Sequence, residues 1–95
     1  MKAAYIHETG APEVIQVGEL PEPTLADGQV LIRVHAVSVN PIDTYVRSGA
    51  VSFELPKPYV IGCDAAGVVE AVGEGVHHLS VGDWVWCTNQ GLLGR

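Results

Sequence analysis

Turn-forming residues interrupt this sequence so often that no regular element much longer than about ten residues fits between them. Thr9, Gly10, Ala11 and Pro12 form one break. Pro21, Pro23, Asp27 and Gly28 form a second, Gly49, Pro56 and Pro58 a third, and Gly73 with Gly75 and then Gly82 with Asp83 the last two. The runs between them alternate apolar and polar residues, which predicts strands over residues 1–6, 14–17, 30–39, 65–72 and 84–87, with Val60 and Ile61 leading into Gly62. Short strands at this spacing predict a mainly β fold, a barrel or a sandwich.

One segment departs from the pattern. Asn40, Pro41, Ile42 and Asp43 carry the chemistry of a helix start, with Asn at the cap, Pro at the first helical position and a carboxylate at the third. Gly49 lies about two turns later and can end the helix. That single short helix carries Ile42, Tyr45 and Val46 at helical spacing on one side.

The chain has 95 residues, enough for one core and one domain. Eleven acidic residues against five basic ones give a net charge of -6, which repels a phosphate backbone and excludes nucleic acid as a partner. No run approaches the roughly 20 apolar residues of a membrane span, and no apolar segment of a secretory leader develops before His7 and Glu8, so the sequence reads as cytoplasmic. Cys63 and Cys87 then read as reduced thiols, Cys87 as a buried core thiol in its strand. The hydrophobic fraction of 47% is high for so small a chain and implies apolar surface meant to be covered. Residues 89–95 match neither a strand nor a polar terminus and read equally as a frayed end or as an interrupted chain.

No complete catalytic constellation is present. The nucleophile elbow, zinc-protease, P-loop and dinucleotide-turn motifs are all missing, and Gly73, Glu74, Gly75 reads as a turn rather than a phosphate loop. Asn40, Asp43 and Tyr45 are the side chains with chemistry to offer. Asn40 and Asp43 are equally accounted for as helix caps, and Tyr45 as a cleft donor or a core contact. His7, His77 and His78 read as exposed loop residues and His35 as an outward-facing strand residue.

Two stretches in register carry a family resemblance. Gly62, Asp64, Gly67, Val69, Val72, Gly73 and Val76, followed by Gly82, Asp83 and Val85, resemble the glycine-rich signature of the medium-chain dehydrogenases and reductases. Val39, Asn40, Asp43, Tyr45, Arg47 and Gly49 resemble the matching segment of their quinone oxidoreductase branch, the zeta-crystallin-like enzymes. The resemblance implies a GroES-like, partly open β-barrel with one short helix, spanning residues 1–95 and followed by a Rossmann domain. It implies hydride transfer from NADPH, bound mainly by that second domain, to a small-molecule quinone or an activated alkene or carbonyl, in a homodimeric complete protein. Asn40, Asp43 and Tyr45 would line the cleft near the nicotinamide, Tyr45 as catalytic donor, Asn40 orienting the nicotinamide or substrate and Asp43 holding the helix.

The zinc alcohol dehydrogenases share the barrel. Their first catalytic cysteine would fall at Asn40, and their His-Glu pair at Cys63 and Asp64. One thiol and one carboxylate do not make a zinc site, which needs three or four N, S or O ligands, so zinc independence is expected. Two alternatives stay open: a zinc-dependent alcohol dehydrogenase, and a stand-alone co-chaperonin-like assembly module without enzyme activity, which would need a mobile apolar loop that the sequence does not offer.

Overall fold

The computed structural model describes residues 1–51 and 54–88; the tail at 89–95 lies outside them. Strands β1 (Lys2–Ile6), β2 (Gln16–Glu19) and β4 (Tyr59–Val60) form one antiparallel sheet in the order β2-β1-β4. Strands β3 (Val30–Ser38), β5 (Asp64–Val72) and β6 (Trp84–Cys87) form a second in the order β3-β5-β6, and helix α1 (Pro41–Ser48) follows β3. The two sheets are separate among the described residues, so the architecture is mainly β and open, as expected, with one short α-helix.

The strand expected at 14–17 starts later. Pro12 fixes its own φ and opens a single 3-10 turn over Pro12–Val14, closed by Val14 N–H donating to Ala11 O at 3.0 Å and Ile15 N–H to Pro12 O at 3.1 Å. Val14 thereby leaves the ladder and packs against the core of Ile6, Val46 and Tyr59, with Ile42, Leu55 and Ile61 around it. The helix ends where expected: Gly49 adopts a left-handed φ of 83°, which costs glycine nothing. Its side chains divide differently from the expectation. Ile42 and Val46 face the core, whereas Tyr45 is 49% exposed, and Asp43, a residue type almost never fully buried without a partner, is 4% exposed.

The glycines of the signature are architectural. A Cβ at Gly67 would lie 2.1 Å from Arg33 O, and one at Gly73 2.2 Å from Ala26 O, both backbone atoms with nowhere to rotate. Gly67 therefore lets β3 approach β5, where the ladder slips twice and leaves His35 unpaired at a bulge. His35 is exposed and rests on Trp84 with ring centroids 4.7 Å apart. Trp84 and Trp86 share one face of β6 and are 70% and 77% exposed, so part of the apolar surplus of the sequence stands on this sheet. The cysteine expectation is corrected: Cys63, at the entry to β5, is the buried thiol, and Cys87 is half-buried on β6, an edge strand among the described residues; both are free.

Candidate functional site

The end of β3, the start of α1 and the start of β5 converge because α1 begins immediately after β3, and β3 is laddered to β5 out to the pair Ser38 and Asp64. Asn40 and Asp43 form a capping box, in which the Asn40 N–H donates to Asp43 Oδ2 at 2.8 Å. The other carboxylate oxygen, Oδ1, accepts from the Cys63 thiol at 3.4 Å. Asn40 also reaches across the strands: its Nδ2 donates to Asp64 Oδ2 at 2.6 Å, and the Ser38 hydroxyl donates to the same oxygen at 2.9 Å. A shallow groove of about 230 Å³ runs from this cluster over Ala36, Val37, Ala65 and Ala66.

Burial pushes the Cys63 thiol up to about 11, helped by the hydrogen bond to Asp43 and the charges of Asp43 and Asp64. Burial raises the Tyr59 phenol as well, with Cys63 and Asp43 adding to it. Cys63 is thus a protonated structural thiol at neutral pH rather than a nucleophile. A stability effect follows. Between the unfolded value of 9.0 and about 11 the folded chain keeps a proton that the unfolded chain has lost. The contribution is therefore whole below about pH 9 and disappears as pH rises through the folded value, a loss of order 2 kcal/mol. Urea midpoints at about pH 8 and about pH 10.5 should fall more for the unaltered protein than for Cys63→Ala; equal falls would show that Cys63 is not responsible.

Of the residues expected from the sequence, Asn40 and Asp43 are joined in this network. Tyr45 stands on the same helix but its hydroxyl takes no part in it. Ser38 was missed, and Cys63 and Asp64 were weighed only as zinc-ligand positions, not as members of this network. Asp64 had a signal, the acidic position of the glycine signature, whereas Ser38 had none. A larger cavity of about 360 Å³, lined by residues 6–9, 55–57 and 59, shares no residue with the network.

The cluster offers hydrogen-bond donors and acceptors around a groove floored by alanines. It also has a helix N-terminus already occupied: the Asp43 carboxylate sits on the N-cap amide, where a phosphate would otherwise bind. Such a site suits the uncharged end of a ligand and not its phosphates. Among the described residues no three His, Cys, Asp or Glu side chains are grouped to hold a metal ion.

The chain belongs to the alcohol dehydrogenase GroES-like domain family, whose pattern matches residues 26–94. Within that family it stands with the quinone oxidoreductases. It is 44% identical over 88 residues to the quinone oxidoreductase of Rattus norvegicus, covering 92% of this chain and 27% of that protein. The fold is similar to that of Escherichia coli quinone oxidoreductase complexed with NADPH, with a TM-score of 0.88 and 35% identity over 97% of this chain and 28% of the other. It is also similar to the cobalt- and zinc-bound alcohol dehydrogenase of Pyrobaculum aerophilum, with a TM-score of 0.81 and 42% identity over 90% of this chain and 26% of that one. The chain therefore spans about a quarter of the length of the relatives it matches.

Proposed function

We propose that these residues form the substrate side of an NADPH-dependent oxidoreductase that reduces a quinone or another electron-poor alkene or carbonyl without zinc, with a second, nucleotide-binding domain in the complete protein. What supports the reading is the cluster built on Asn40, taken with the likeness to quinone oxidoreductases. The nicotinamide, when bound, supplies the hydride, and the protein aligns donor and acceptor and stabilises the developing oxyanion. The residues suit the nicotinamide end of the cofactor: Asn40 offers a fixed carboxamide bonded to the groove residue Asp64, and the capped helix start leaves the phosphates to be held elsewhere. Asp43 holds the helix start on β5 through Cys63. Tyr45, exposed and on the same helix, is the donor we assign to the substrate oxygen.

Zinc independence rests on the donor chemistry. Asn40 turns an N–H and not a lone pair toward Asp64. Cys63 and Asp64 offer one thiol and one carboxylate, two donors where a zinc ion needs three or four N, S or O ligands. The alcohol dehydrogenase reading draws on the Pyrobaculum aerophilum likeness but lacks these ligands. An assembly module would form a ring, which light scattering of the chain would reveal.

Tyr45→Phe tests the donor assignment. Because Tyr45 is half exposed, water can replace part of its hydrogen bond, so we expect kcat of the complete protein with NADPH and a quinone to fall about tenfold rather than the hundredfold of a buried oxyanion donor. An unaltered kcat would remove Tyr45 from the mechanism.

A further inference from the structure

We infer that Asp64 is a positioning residue that, together with Ser38, locks the side chain of Asn40 in one orientation; the catalytic consequence rests on the function proposed above, the locking itself does not. Three groups meet at one oxygen. Asn40 Nδ2 donates to Asp64 Oδ2 at 2.6 Å and Ser38 Oγ donates to it at 2.9 Å, while Nδ2 and Ser38 Oγ are themselves 3.4 Å apart. A carboxylate accepts and cannot donate, so only the NH₂ edge of the carboxamide can face it, and the carbonyl edge must face away. Without that constraint a carboxamide turned by a half rotation has the same shape with donor and acceptor exchanged. A ligand group that needs a donor would then meet an acceptor in part of the population.

The anchoring is rigid because Ser38 and Asp64 are themselves cross-strand partners in the β3-β5 ladder. Asn40 is fixed from its other end by the helix start, where its N–H is bonded to Asp43. The carboxamide is thus held between a sheet and a helix N-terminus with its donor and acceptor in a fixed order, bonded to the Asp64 that with Ser38 lines one end of the groove over Ala36, Val37, Ala65 and Ala66. Such a pattern suits a ligand that is itself a planar amide or carbonyl, in which donor and acceptor must be matched in order.

Asp64→Asn tests this, since it keeps the shape and removes the constraint: the new carboxamide can offer either edge. In the complete protein labelled with ¹⁵N, the bonded Asn40 Nδ2 proton should exchange with solvent at least about tenfold faster in Asp64→Asn than in the unaltered protein, and in Ser38→Ala to a smaller degree. Unchanged exchange in Asp64→Asn overturns the inference whatever the enzyme does. The kinetic arm is a cycle with Asn40→Ala, using NADPH and a quinone. Asp64→Asn should lower kcat/KM about tenfold by itself and less than about twofold when Asn40 is already alanine. Equal losses in both backgrounds would mean that Asp64 acts independently of Asn40 and would overturn the positioning role. If the unaltered protein turned over no quinone while the exchange result held, the proposed function would fall and the locking would stand.

Discussion

Replacing Gly67 with alanine should cost about 3 kcal/mol, at the top of the usual range for forcing a methyl group into filled space. The new Cβ would sit 2.1 Å from the Arg33 carbonyl oxygen and 2.9 Å from both the Arg33 carbonyl carbon and Ile32 Cγ2. Two of these three atoms are backbone, so relief requires β3 to move off β5, and the β3-β5 ladder is the longest pairing of the second sheet. In a chain of this size, where total stability is only about 5–15 kcal/mol, such a loss is a large fraction of the whole. Gly18→Ala is the matched control. It lies on β2, and the nearest atom to its Cβ would be the Tyr5 hydroxyl at 3.3 Å, the far end of a side chain that can shift. We expect that variant to stay within about 0.5 kcal/mol of the parent. Urea unfolding of the two variants decides the matter; a Gly67→Ala protein as stable as Gly18→Ala would show that the strands can part freely and that the glycine signature is not sterically imposed.

Asp43→Ala should be comparably damaging, by about 3 kcal/mol, for a different reason. The carboxylate is buried and accepts from both the Asn40 N–H and the Cys63 thiol. Its removal breaks the Asp43 half of the capping box and leaves both the part-buried Asn40 amide, at about 1–3 kcal/mol, and the buried Cys63 thiol without their acceptor. Asp43→Asn keeps the volume and one acceptor oxygen and should cost roughly 1 kcal/mol. The same variant reports on Cys63. Since burial is the largest cause of the raised thiol and Asp43 the next, the pH dependence of alkylation should move toward lower pH in Asp43→Asn without reaching that of an exposed cysteine. An alkylation profile that did not move would contradict the Asp43–Cys63 contact.

The larger features of the fold were legible because they are local. Turn residues punctuate the strands, and Asn40, Pro41, Asp43 and Gly49 bracket the helix in residue types whose backbone preferences leave few alternatives. What was misread depended on contacts distant in sequence. Val14 looks like a strand residue until the core formed by Ile6, Val46 and Tyr59 is present to take it. Tyr45 shares the periodicity of Ile42 and Val46, and only the packing of α1 leaves it outside. Which of the two cysteines is buried depends on strand order, since among the described residues β5 is central and β6 is an edge, and strand order is not written in local propensity. The site divides in the same way. Asn40 and Asp43 stand out as a pair because a cap has a fixed spacing of three residues. Ser38 and Asp64 are 26 positions apart and become neighbours only through the β3-β5 register.

The proposed hydride transfer without a metal is tested most directly by NADPH consumption by the complete protein with a quinone acceptor before and after exhaustive chelation. Our account predicts equal rates in the two preparations and no gain on adding zinc. Activity that vanished with the chelator and returned stoichiometrically with zinc would contradict it and place the chain with the zinc-dependent alcohol dehydrogenases.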